Sequence, residues 1–184
     1  YFFGVPRRTI SLKRQLQLIK GKSLDINLIM VGIENFTLED LRTIQYAVQF
    51  TRDSYSQVNL GIRKVNWMMI TVAEAGDHVT IDSTSEAHDL TDDWNGHSGA
   101  LDVFVIRVIN GFYGCSDVWG PCSKDDKDMT GCVVSLNCCS SCPLGVNCED
   151  DVGTTFAHEI GHFLGLYHDG GKDNVMGNFF GTVT

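Results

Sequence analysis

The sequence contains no run of about 18 apolar residues, so no segment reads as a helix that crosses a membrane, and no membrane partner is expected. It also lacks a basic surplus: 14 Lys and Arg stand against 23 Asp and Glu, for a net charge of −9. Such a chain has little with which to neutralise phosphates, which argues against nucleic acid as a partner. The opening residues Tyr1-Phe2-Phe3-Gly4-Val5-Pro6 have neither the basic start nor the long apolar stretch of a signal peptide, so a mature or trimmed product is expected. Cysteine is missing until residue 115; all seven then fall between Cys115 and Cys148. That density points to an oxidising, extracellular setting with disulfide bonds. The odd count leaves at least one thiol unpaired or bonded outside this chain, and spacing does not fix the connectivity. The competing reading is a structural zinc cluster, because Cys138, Cys139, Cys142 and Cys148 include one C-x-x-C.

What is present suits one domain spanning residues 1–184, long enough to bury a core and ordinary in apolar content at 43%. Residues 9–20 fit either strand or helix spacing. Leu24 to Ile33, rich in Ile, Leu and Val, reads as a strand. Thr37 and Asp40 form a T-x-x-D capping box that starts a helix, with Phe36 placed to staple onto Leu41. Leu41, Ile44, Val48 and Tyr55 mark its buried stripe. Asn35-Phe36-Thr37 is also a glycosylation acceptor by sequence, although its overlap with the helix start favours a structural role. Ile62 to Val72 reads as the next strand, so strand, helix and strand imply a parallel crossover. Leu101 to Ile109 is a near-continuous apolar run, the pattern of a central parallel strand.

Between those strands lies the polar segment 73–100, long for a loop, which suggests a functional or ion-held insertion. Every formal charge from Glu74 to Asp102 is negative, whereas Arg7, Arg8, Lys13, Arg14, Lys20 and Lys22 make the N-terminal stretch basic. The plain reading is two solvated faces. The acidic stretch also offers Asp82, Asp89, Asp92 and Asp93 as candidate Ca2+ ligands, because hard cations require several oxygens.

The chemistry concentrates in Thr155 to Met176, TFAHEIGHFLGLYHDGGKDNVM. His158 and His162 are four apart, on one face of a helix about one turn from each other. Two imidazoles so placed can converge on one Zn2+ ion, and Glu159 lies where its carboxylate reaches a water at the ion without ligating it. His168 would lie about 9 Å further along a continued helix. Gly165, which tolerates a left-handed turn, allows the chain to stop, fold back and bring His168 in as third ligand. Three histidines leave a fourth position open, as in a catalytic site. Asp150 or Asp151 can cap this helix. Asp169 can serve as an acceptor that holds the free N–H of a ligand histidine.

The span from His158 to His168 resembles the long zinc motif of the metzincin clan of metallopeptidases, matching each defining position, and Met176 resembles the clan's Met-turn methionine. The short interval from His168 to Met176 is matrixin-like, whereas Asp169 is adamalysin-like, so the subfamily stays open. Asn178 stands where astacin- and serralysin-like members carry a tyrosine ligand. The resemblance implies an α/β (α+β) catalytic domain with a mostly parallel twisted sheet, an antiparallel edge strand and two main helices. It implies an upper subdomain of about 1–165, carrying the Cys-rich insertion 115–148, over a short lower one of about 166–184. The clan usually adds a C-terminal helix after the methionine, so the eight residues that follow Met176 are a departure.

By the same resemblance, Gly131 to Asn137 would be the antiparallel edge strand above the cleft, flanked by cysteines that staple the rim. Val133, Val134 and Ser135 would then bind an extended substrate by strand addition. Phe179 and Phe180 lie where such enzymes form the wall of the pocket beyond the cut bond, suggesting an apolar preference there. His78, His88 and His97 offer a second zinc site as a matrixin loop does, although their spacing differs. The implied function is a secreted zinc endopeptidase with one catalytic Zn2+ and Glu159 as general base. Its expected partners are a protein or peptide substrate and a pro-segment or inhibitor, with the chain acting as a monomer. Two other functions fit the same residues: a zinc-bearing binding or toxin-like module without turnover, and a zinc hydrolase of short peptides or amides.

Overall fold

A computed structural model describes residues 9–94, 96, 99–118, 129–137, 148–169 and 174–177. Its frame is a five-stranded sheet in the order β2-β1-β4-β7-β6. These are β1 (Lys22–Val31), β2 (Leu60–Ile70), β4 (Leu101–Ile106), β6 (Gly114–Cys115) and β7 (Cys132–Ser135). The first four neighbours run parallel and only β6 is antiparallel, so the sheet is mostly parallel as expected. A pair of two-residue strands, β3 (Thr80–Ile81) and β5 (Val108–Ile109), lies apart from it. Two long helices, α2 (Leu38–Ser56) and α5 (Cys148–Phe163), pack against one another and cover one face.

The period of two along each strand divides the core between the faces. Ile26, Leu28 and Met30 of β1, with Leu101, Val103 and Val105 of β4, point to the α2–α5 side. Ile29, Val31, Phe104 and Ile106 point to the other side, against Ala87 and Leu90 of α4 (Thr84–Asp93). All six residues of β4 are therefore buried, which explains their near-continuous apolar run. Asp102 is the exception in type. It accepts from Asn27 Nδ2 at 2.7 Å and from the Gly96 N–H at 3.0 Å, while Asn27 Oδ1 accepts from Asn66 at 2.8 Å. This polar ladder crosses β2, β1 and β4 because the three residues are register partners.

The capping box at α2 forms as its sequence predicts: Thr37 Oγ1 accepts from the Asp40 N–H at 3.2 Å and Asp40 returns a bond to the Thr37 N–H at 2.7 Å. Both Phe36 and Leu41 pack on the main core. Between β1 and β2 the helix makes the expected parallel crossover. The ambiguous start resolves as helix α1 (Leu12–Leu18), because Ser11 caps it by accepting from the Arg14 N–H.

Three expectations require correction. The segment 73–100 is not an irregular loop: it carries α3 (Val72–Ala75), β3 and α4, with Thr71 and Ser83 as N-caps. Its acidic residues lie on the solvent side of short helices, and Asp82, Asp89, Asp92 and Asp93 are exposed. Gly131–Asn137 is not the edge. Its strand β7 lies between β4 and β6, and Val133, Val134 and Ser135 are wholly buried, so none offers a free ladder to substrate. Among the described residues the antiparallel edge is β6. Finally, α5 begins at Cys148, so Asp150 and Asp151 occupy its first turn rather than its cap. There they still place negative charge at the positive end of the helix dipole.

Candidate active site

Helix α5 delivers His158, Glu159 and His162 from inside the fold. Burial of Phe156, Ile160 and Phe163 seats it against α2 and the sheet. Tyr55 of α2 reinforces that contact by donating to the Ala157 carbonyl at 2.9 Å. The helix ends as the glycine predicts. Gly165 adopts φ +92°, its N–H donates to His162 O at 2.8 Å, and the Leu166 N–H reaches back to Gly161 O at 3.0 Å. This is a Schellman termination, which turns the chain sharply and returns His168 to the helix face.

The three imidazoles meet. Nε2 of His168 is 3.0 Å from Nε2 of His158 and 3.0 Å from Nε2 of His162. The opposite nitrogens are held by carbonyls: His158 Nδ1 donates to Val175 O at 2.6 Å and His162 Nδ1 to Leu166 O at 2.7 Å. Those bonds place the ring protons on Nδ1 and leave lone pairs on Nε2 directed at a common point. Tetrahedral zinc with bonds of 2.0–2.1 Å separates its ligand atoms by about 3.4 Å, close to the spacing found here. Burial, with the neighbouring His162 adding to it, pulls the pKa of His158 down to about 4, and burial lowers that of His162 as well. Neutral imidazole is the form that binds metal. The set fits a zinc ion.

Glu159 points to the same cleft but stays apart from the nitrogen cluster. It is 4% exposed, and burial pushes its carboxyl up to about 8. The cleft, of about 450 Å³, is bounded by the segment Phe112–Val118 on one side and by the histidines and Tyr167 on the other. Cys115 lines it as a free thiol, its pKa pushed up to about 12 by burial and by the nearby Glu159 charge. Cys132 is likewise free and buried, so these two form no staple; the other five cysteine side chains lie outside the described residues.

The Met-turn forms over Asn174–Gly177. Asn174 Oδ1 accepts from the Met176 N–H at 2.8 Å, the Gly177 N–H closes onto Asn174 O, and Asp169 pairs with Gly177. Met176 is completely buried beneath α5. A Cβ at Gly161 would stand 2.4 Å from its sulfur, so the helix can sit on the methionine only because that position is glycine. Neither Gly161 nor the two carbonyl acceptors carries a sequence signal, since each matters only through residues distant along the chain. For His158 and His162 the acceptors are those two carbonyls, and the Asp169 N–H donates to Met176 O at 2.9 Å. Phe179, Phe180 and His97 lie outside the described residues.

Among the described residues, the triad His158, His162 and His168 is the one group of three or more His, Cys, Asp or Glu whose ligand atoms gather closely enough for a metal. Among the described residues, His78, His88 and the four aspartates join no such group, and calcium is not supported.

The chain matches the metallo-peptidase family M12B, reprolysin-like, over residues 22–169. It belongs to that family. The metzincin resemblance of the motif is thereby shown, and membership of a metallopeptidase family implies zinc, for which the histidine triad is suited. Its fold is similar to that of archaemetzincin from Methanopyrus kandleri, with TM-score 0.55 and 14% identity, over 88% of this chain and 84% of that one. Metalloproteinase-II from Bacteroides fragilis gives 0.53 and 16% over 97% of this chain, and a chain in a structure of a chaperone-substrate complex gives 0.53 and 16% over 86%. The metallopeptidase spans 52% of the former and 28% of the latter. These identities carry the fold alone. No curated protein matches the chain.

Proposed function

We propose that this metallopeptidase is a secreted zinc endopeptidase in which Glu159 is the general base. The observation that carries the reading is the meeting of three imidazoles, with Nε2 of His168 3.0 Å from Nε2 of both His158 and His162, beside a buried carboxyl in an open cleft. A zinc ion held by His158, His162 and His168 would supply Lewis-acid polarisation of a carbonyl and acidification of a water.

The remaining steps belong to the chain. The Val175 and Leu166 carbonyls fix the His158 and His162 rings in the tautomer that binds metal. Glu159 takes the proton of the attacking water on a carboxylate oxygen and returns it to the departing amine nitrogen. It needs its ionised form for this, and a cation on the neighbouring nitrogens favours that form. The strand β6 ends the sheet among the described residues and borders the cleft, so an extended peptide can add alongside it through main-chain bonds. Strand addition reads the backbone within a long chain, which supports an endopeptidase. The cysteine density between Cys115 and Cys148 supports secretion.

Incubation with an unfolded protein, with and without chelator, tests the proposal, with products mapped by mass spectrometry. Internal cleavage that chelator abolishes and zinc restores is expected. Absence of cleavage by the zinc-loaded protein refutes it, and removal of terminal residues alone refutes the endopeptidase assignment.

A further inference from the structure

Gly114 stands in β6, and a Cβ built on it would meet Glu159 Cγ at 2.6 Å, Oε1 at 2.7 Å and Cδ at 2.9 Å. Its conformation does not demand glycine, because among the described residues the left-handed glycines are Gly32, Gly76, Gly111 and Gly165. Glycine weakens a strand and is retained where another group approaches closely. Here that group is the carboxyl of Glu159.

We propose that Gly114 is a positioning residue for Glu159: the bare Cα of the edge strand makes the slot in which the carboxylate stands. The inference rests on the general-base assignment given above. The neighbouring structure dictates what a methyl group would displace. β6 is held by antiparallel pairing of Gly114 with Val134 and Cys115 with Val133, and by the Ser135 N–H donating to Tyr113 O at 2.9 Å. On the other side, α5 is fixed by its packing on α2. The part free to move is the Glu159 side chain from Cγ outward, which turns about its own bonds and then leaves its place in the cleft. Gly131 provides the contrast. A Cβ there would meet the backbone oxygen of Asp102 at 2.6 Å, where nothing can rotate away. Substitution at Gly131 therefore disturbs the fold, whereas substitution at Gly114 disturbs the chemistry.

The test compares wild type, Gly114→Ala and Gly99→Ala, all zinc-loaded, with the crystal structure of each. Gly99 has nothing within 4 Å of its Cβ position and serves as control. For Gly114→Ala we expect kcat to fall by about 100-fold, the effect of misplacing a reacting group by roughly 1 Å, with KM within about twofold. Zinc stoichiometry should be unchanged, and the crystal structure should show the Glu159 carboxylate displaced and β6 in place. Wild-type kcat, a rise in KM in place of the kcat loss, or a retreated β6 beside an unmoved Glu159 overturns the inference. If Gly114→Ala does not fold, the double variant Gly114→Ala/Glu159→Ala decides. Recovery of folding upholds the contact with Glu159, and continued failure refutes it. Cleavage by wild type and Gly114→Ala alike defeats this inference alone. Absence of cleavage by wild type and Gly99→Ala defeats the proposed function as well.

Discussion

Replacing Glu159 by Gln should improve the metal-free fold while it abolishes turnover. The carboxyl is 4% exposed, and its pKa of about 8 in the fold compares with 4.5 for the unburied group. A folded-state pKa raised in this way stabilises below about 4.5, and that contribution is lost as pH rises through about 8. At pH 7 the unfolded chain has released the proton and the folded chain still holds it. The difference of about 2.5 pH units, at about 1.4 kcal/mol each, makes the ionisable side chain a burden of ~3 kcal/mol. Gln has nearly the same shape and no charge to release. In chelator-treated protein at pH 7, denaturant unfolding should thus show Glu159→Gln more stable by ~3 kcal/mol, and the gain should vanish near pH 4. The zinc-loaded variant should lose about 10²–10⁴-fold in rate while it retains the ion. A stability difference that is the same at both pH values would refute the burial argument. Wild-type turnover would refute the role in catalysis.

The acid side should slope in the opposite direction. His158 has a folded pKa of about 4 against 6.5, so its contribution is whole above about 6.5 and is lost as pH falls through about 4; metal-free Glu159→Gln should lose stability over that range, and a flat profile contradicts this. Gly161→Ala places a Cβ 2.4 Å from the Met176 sulfur and should cost about 1–3 kcal/mol by overpacking. In a Met176→Ala background the same change should be neutral or stabilising, so an unchanged penalty there would show that the sulfur is not the obstacle. Thr37→Ala removes the cap of α2 and should cost about 1 kcal/mol in thermal unfolding, and no change in midpoint would mean that the capping box contributes nothing.

The parts of the site legible in the sequence are those whose partners lie a few residues apart. His158 and His162 follow from helical spacing, the chain reversal from Gly165, and the start of α2 from Thr37 and Asp40. The parallel crossover was equally open to reading, since β1, α2 and β2 each have a clear period. What escaped depends on contacts across the chain. The two-residue strand β6 is too short to show alternation, so the edge of the sheet, and Gly114 in it, carried no signal. Cys132–Ser135 is buried on both faces, yet Ser135 and Asn137 at alternate positions give its sequence the pattern of a half-exposed strand. The helices of the segment 73–100 are short and lie against the domain by few residues, chiefly Ala75, Ala87 and Leu90, leaving a composition that reads as loop.

The central claim, that three histidines and Glu159 form a one-metal hydrolytic centre, is tested most directly by restoring zinc stepwise to chelator-treated protein while internal cleavage of an unfolded protein is followed. No cleavage is expected without zinc, followed by a linear recovery that reaches its plateau at one ion per chain. Cleavage by the metal-free protein, or a protein that binds one ion and cleaves nothing, would contradict it.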